Sequence, residues 1–274
     1  MKKSYIKTVL SCTLFSLFLS CTETVDVTVP NGGDRLVVEA SIMWEKGTSG
    51  QDQSVKLSKS TEFFASDLDI AVTGASVVII NNDTGDQFVF DEQGNGIYST
   101  DGFIPVIDVS YTMEIIYDGN TYQATETLAS VTEITSIEQN EVSGFDGDEI
   151  SVTLFYEDPQ GERNFYLAEF IPSNSPLLGL EPSDDEFYNG NETFIEYDDG
   201  NLAVGDAVDI SLQGISQNFF NYIELLTSQI GEDGPFQTTP ARLKGNCINI
   251  NDPDEEVLGY FRLSEVDRAN FVIN

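Results

Sequence analysis

Carboxylates are the reactive groups this chain has in quantity: 47 Asp and Glu stand against 12 Lys and Arg, with no His. They gather in short runs: Asp67 and Asp69; Asp146, Asp148 and Glu149; Asp184, Asp185 and Glu186; Asp198 and Asp199; Asp252, Asp254, Glu255 and Glu256. Two chemistries use such groups. Ca²⁺ takes about six to eight oxygen ligands, so the acidic loops at Asp146, Asp148, Glu149 and at Asp252, Asp254, Glu255 are candidate metal ligands. Neither has the spaced ligands of a helix-loop-helix calcium loop. Two carboxylates facing each other roughly 5 to 9 Å apart hydrolyse glycosides, but the sequence singles out no pair. The absence of His removes the usual zinc sets, the Ser-His-Asp and Cys-His nucleophile systems, and the commonest general base. No nucleophile elbow, phosphate loop or dinucleotide fingerprint is present. The expectation is a protein without catalytic residues and without an organic cofactor, whose acids are mainly solvated loop charge, with calcium as the one candidate cofactor.

Cysteine chemistry is more informative. Lys2, Lys3 and Lys7 precede an apolar or small run at 8–20, TVLSCTLFSLFLS. That is a secretory signal core, shorter than the roughly 18 residues a membrane-spanning helix needs. Leu17-Phe18-Leu19-Ser20-Cys21 puts a cysteine directly after a small residue, the arrangement in which a thiol is lipidated before cleavage. Residues 1–20 are expected to be a lipoprotein signal peptide, Cys21 the lipidated residue, and residues 21–33 a polar tether. Cys247 is then a lone thiol among apolar and amide neighbours, an inert core cysteine rather than a nucleophile.

Removing 1–20 leaves nine basic and 47 acidic residues, a net charge of −38. Such a surface repels phosphates, so nucleic acid is not a partner. It also repels an anionic leaflet, against which the lipid must hold the protein. Twelve extended tether residues reach on the order of 40 Å.

The elements that must position any site are mostly strands. Arg35–Ile42, Ser54–Ser58, Ala75–Ile80, Gln87–Phe90, Ile97-Tyr98, Val109–Tyr117 and Thr121–Leu128 are short β-rich runs, with Asp118-Gly119-Asn120 a tight hairpin turn. The fold class expected is mainly β: an immunoglobulin-like antiparallel sandwich at 34–129, then a second β-rich domain at 130–274. In the latter, Ile134–Val142, Glu149–Tyr156, Asn164–Ile171, Glu192–Tyr197 and Ala207–Leu212 are strands, 172–190 is a long surface loop, and the last block returns to short strands. One amphipathic helix is expected at 215–230, with Ser216 as N-cap. Its aromatics Phe219, Phe220 and Tyr222, and the loop aromatics Phe187, Tyr188 and Phe194, form the candidate contact surface. Trp44 is expected at the edge of the core.

Several stretches in order carry a family resemblance: an early cysteine and tether, Leu36-Val37-Val38-Glu39, Val55–Ser58, Gly74-Ala75-Ser76-Val77, Gly96-Ile97-Tyr98, the Tyr111–Tyr122 hairpin followed by Ala124 and Thr125, an aromatic-rich helix, Gly245-Asn246, and Leu258-Gly259-Tyr260-Phe261. Together they resemble a Bacteroidota outer-membrane lipoprotein family, the domain of unknown function numbered 4249, across about 34–265. Ala40 stands where that family usually has Gly. The resemblance implies a lipid-anchored protein of the outer membrane, at the cell surface, encoded beside TonB-dependent outer-membrane transporters. It supplies no catalytic residue. The leading expectation is a non-enzymatic binding or accessory partner of such a transporter. The second is a calcium-stabilised adhesion or glycan-binding module at the surface, and the third a carboxylate hydrolase.

Overall fold

β-branched and aromatic residues alternating with polar ones make strands with one buried face, and most of the chain follows that pattern. The computed structural model describes residues 33–61, 70–143, 148–175, 178–230 and 241–274. Cys21 and the tether lie outside them, as do Asp67, Asp69 and Asp146. The first half holds β1 (Leu36–Glu45), β2 (Gln53–Lys59), β3 (Ile70–Ala71), β4 (Ser76–Asn81), β5 (Gln87–Gly94), β6 (Ile97–Thr100), β7 (Ser110–Tyr117) and β8 (Asn120–Thr127). The second holds β9 (Ile134–Ser143), β10 (Asp148–Glu157), β11 (Phe165–Pro172), β12 (Gly179–Asp184), β13 (Glu192–Asp198), β14 (Ala207–Gly214), the helix α1 (Gln217–Ile230), β15 (Ile248–Asn249) and β16 (Leu258–Val272). The fold is mainly β with a sandwich layout, as expected.

One long sheet runs β12-β11-β14-β16-β1-β2-β6-β5-β4-β7-β8-β15, with β3 beside β2; β13-β10-β9 form a separate three-stranded sheet. The long sheet folds back on itself at β5, which pairs with β4 on one side and β6 on the other. A register shift between Glu92 and Gly94 marks the bulge that bends it. The resulting layers enclose the first core, with Val38, Ile42 and Leu57 from one side against Ile79, Phe90, Met113 and Ile115 from the other. Asp118 and Gly119 both take positive φ, 49° and 79°, which gives the β7–β8 hairpin the twist its strands require. The Tyr111 hydroxyl donates to Ile104 O (3.0 Å) and accepts from Val106 N–H (2.9 Å), a tyrosine corner that pins the loop before β7. Trp44 is half-buried against this core, and its indole N–H donates to Thr48 O.

The second core lies between the long sheet and the small one. Val152, Leu154 and Tyr156 of β10 meet Tyr166 and Phe170 of β11 and Ile210 of β14. On the opposite face of β11, Leu167 packs under α1 with Ile215, Phe219, Phe220 and Ile223. The period of two along β11 therefore divides its side chains between two cores.

Two expectations are corrected. The segment 172–190 contains β12, which adds to the edge of the sheet beside β11; Pro, Ser and acidic residues are tolerated on an edge strand. In the last block, the stretch after Val257 is one 15-residue strand, β16, rather than several short ones, with the two-residue β15 ahead of it. Its polar residues had suggested breaks, but they are partnered: Glu265 accepts from Val131 N–H (2.9 Å) and Asp267 accepts from Ile134 N–H (2.8 Å). The two cores divide near residue 130, Leu128 lying in the first and Val131 in the second, and the C-terminal segment crosses back to the first. Cys247, Val257, Phe261 and Leu263 belong to the first core, and β16 pairs with β1 in parallel and with β14 antiparallel. Gly33–Asn274 is accordingly one compact unit.

Cys247 is buried, and burial pushes its thiol up to about 12. Iodoacetamide near neutral pH should leave it unmodified in the native protein and alkylate it once denaturant is added, read by intact mass. Rapid native alkylation would contradict the packing.

Candidate functional site

The expected contact aromatics divide in two. Phe187, Tyr188 and Phe194 are exposed, at 81%, 46% and 56%. Phe194 sits 5.8 Å from the Phe155 ring on the outer face of the small sheet; Phe187 and Tyr188 lie in the loop between β12 and β13. Phe219 and Phe220 are buried, because the apolar stripe of α1 faces the sheet. The Phe220 ring packs 5.2 Å from Phe165, and Phe219 packs 4.9 Å from Tyr260. They support a surface rather than forming one.

Tyr222 is the helical aromatic that reaches open space. It is half-buried, its ring 4.9 Å from Tyr260 at a tilt of 50°. The two rings form a corner in a groove of about 420 Å³, walled on one side by Asn218, Asn221 and Leu225 of α1 and on the other by Arg242, Lys244 and Asn246. Ser216 fixes the start of α1, its hydroxyl oxygen accepting from Phe219 N–H at 3.1 Å. Asn246 fixes the other wall: its amide donates to Phe261 O (2.7 Å) and accepts from Phe261 N–H (2.9 Å). Behind the rings, Arg262 of β16 lies 4.8 Å over the Phe219 ring.

Glu126 lies beneath the groove. Its carboxylate accepts from the hydroxyls of Ser216 (2.9 Å) and Tyr260 (3.3 Å). Burial raises its carboxyl above the ordinary 4.5, and the hydrogen bonds from Ser216, Thr127 N–H and Tyr260 lower it by less. The Tyr260 hydroxyl is in turn pushed up by burial and by the Glu126 charge. Below 4.5 the carboxyl is neutral folded or unfolded and costs nothing extra. As pH rises, the unfolded chain releases its proton first, so stability falls until the raised folded value is passed. Glu126→Gln should therefore melt higher than the parent at about pH 8, with the gap closing towards about pH 4. A gap independent of pH would show that burial of charge is not the cause.

The groove owes its character to charge scarcity. Of the nine basic residues after position 20, seven contact carboxylates: Arg35, Lys46, Lys56, Arg163, Arg242, Arg262 and Arg268. Lys59 lies over the Tyr117 ring. Lys244 is exposed and has no partner among the described residues. Arg242 is 69% exposed beside it, with Glu256 shared between Arg242 and Arg35. Asn218, Asn221 and the Tyr222 hydroxyl likewise make no hydrogen bond among the described residues. Sequence reading placed Tyr222 but missed the other wall, whose residues lie about 20 positions further along the chain. The signal that was available is the rarity of cations in so acidic a chain.

Among the described residues no three His, Cys, Asp or Glu side chains come together as a metal site. Asp146 and the Asp148 side chain lie outside the described parts of the chain. Glu255 accepts from the Asn249 amide at 2.5 Å, and Asp252 accepts from Asp254 N–H at 3.3 Å, so these acids brace their own loop.

No curated protein matches the chain. Among solved structures, two fibronectin type III domains of chicken tenascin are similar over 59% of this chain and 83% of theirs, at 10% identity and a TM-score of 0.22. A DUF4785 family protein from Legionella pneumophila is similar over 65% of this chain and 52% of its own length, at 7% identity and a TM-score of 0.27. Both overlaps are too slight to bear on fold or function. The model of one protein family, in contrast, spans residues 22–270. The chain belongs to the family described as domain of unknown function DUF4249.

Proposed function

We propose that this protein is an exported Bacteroidota lipoprotein, held to the outer membrane through lipid on Cys21. On this reading it works by binding, as an accessory partner of a TonB-dependent outer-membrane transporter, and holds in the α1 groove what it passes on. The observation that carries the binding reading is the groove itself: a corner of two tyrosine rings beside a lysine and two amides that have no partner among the described residues, in a chain of net charge −38 after residue 20. Ligand sites commonly pair aromatic walls with a few placed polar groups, as this groove does. The lipid anchor and the transporter rest on the signal-like sequence at 1–21 and on the family resemblance.

Affinity purification of the tagged protein from outer membranes in mild detergent tests the partnership. Recovery of a barrel protein with a plug domain is the expected result; recovery of none overturns the partnership. Mass measurement of the mature N-terminus tests the anchor. A diacylated Cys21 as first residue is expected, and an unmodified Cys21 or cleavage elsewhere overturns it.

A further inference from the structure

We infer that the groove beside α1 is a site for an acidic saccharide, a sugar bearing a carboxylate such as a uronic acid. This rests on the reading of the groove as the binding surface and names what it would hold. Three features of the groove match three parts of such a ligand.

The cation comes first. A lysine in a protein with 47 acids has every opportunity to find a carboxylate, and seven of its fellow basic residues do so. Lys244 instead stands at the groove wall with no carboxylate partner among the described residues, next to the exposed Arg242 guanidinium. That leaves a charged donor for a ligand carboxylate, while the surrounding acidic surface repels anions that lack further contacts. The second feature is the pair of amides. Asn218 and Asn221 are three residues apart on α1, so their Cβ atoms stand about 5–6 Å from each other on one face. Each offers a donor and an acceptor at its tip, the combination that matches neighbouring hydroxyls, which also donate and accept. The third is the ring corner of Tyr222 and Tyr260, 4.9 Å apart, the Tyr222 hydroxyl making no hydrogen bond among the described residues. An aromatic face beside a polar tip suits the C–H face of a sugar ring.

An acidic peptide is the competing ligand for the lysine. Extended peptides are captured mainly by main-chain hydrogen bonds to a free sheet edge. The β16 wall is not such an edge: the Phe261 backbone is closed by Asn246, and β16 from Leu258 to Val266 pairs with β1. Its free groups are side-chain tips and ring faces.

Calorimetric titration of the full mature protein decides the matter. The ligands are a galacturonate trisaccharide, the neutral galactose trisaccharide and a tri-glutamate peptide. Binding of the galacturonate trisaccharide is expected, with no heat from the neutral sugar. Lys244→Gln, an exposed change that leaves the melting temperature in place, should weaken binding about tenfold or more, and added salt should weaken it in the parent. No binding of the galacturonate trisaccharide, equal binding of the neutral sugar, tighter binding of tri-glutamate, or an unaffected Lys244→Gln variant would each overturn the assignment. Capture of a barrel protein is read separately, so loss of the sugar with the barrel retained removes this ligand and leaves the partnership standing.

Discussion

Arg262→Ala should lower the unfolding free energy by about 3–5 kcal/mol, the usual effect of breaking a buried ion pair by removing one partner. The guanidinium is almost wholly buried, and desolvation lowers its pKa against the opposing pull of Glu169. It holds four elements together: it donates to Ser41 Oγ of β1 (2.9 Å), to Gln213 of β14 and to Glu169 of β11 (3.4 Å), and lies over Phe219 of α1. Truncation leaves three polar acceptors facing a void. Arg262→Met keeps most of the volume and should cost nearly as much, because the stranded Glu169 is the larger part of the penalty. Adding Glu169→Leu to Arg262→Met should then recover a good part of the loss. Urea unfolding measures all three. A loss under about 1 kcal/mol for Arg262→Ala would mean that water replaces the guanidinium freely.

The second large effect is expected at Gly259. A Cβ there would stand 2.0 Å from Val38 O, and the residue has φ of +83°. Val38 and Gly259 face each other near the start of the parallel β1–β16 ladder. Gly245 approaches the same place: a Cβ on it would stand 1.9 Å from Gly259 O. Any side chain must push β16 away from β1 and disturb the wall that carries Lys244 and Asn246. Gly259→Ala should destabilise by about 3 kcal/mol or more. Gly47 separates the two causes: its φ is +80°, yet nothing lies within 4 Å of its Cβ position. Gly47→Ala should cost only the backbone strain, about 1–2 kcal/mol, and the difference between the variants reports the close approach. Equal losses would refute the steric argument. The two glycines also account for two short motifs, Gly245-Asn246 and Leu258-Gly259-Tyr260-Phe261. They are the places where two backbones and one amide bracket meet.

Strand grammar was legible because it is local. Alternation in Val109–Tyr117, the Asp118-Gly119 turn and the apolar run at 75–80 each fix a strand or hairpin within about ten residues. The helix was legible for the same reason, down to its Ser216 cap. β16 was misread because its interior polar residues satisfy partners more than 90 positions away, such as Val131 and Glu169. Periodicity cannot register a polar residue whose partner is that remote. Phe219 and Phe220 were offered as contact surface on residue type, and burial of the apolar face of the helix excluded them.

The sequence by itself determined the mainly β class, the amphipathic helix after Ser216 and the membership of a family, because patterning and turn chemistry act over short spans. It also determined the strongly acidic balance, which makes each cation informative. Only the tertiary structure decided which cation has no carboxylate partner among the described residues and which tyrosines line one groove together. The groove joins α1 to the 242–246 segment and to β16, and that meeting is set by a parallel strand pair closing more than 200 residues of chain. Closure over that distance is governed by the packing of both cores at once, which no local pattern encodes.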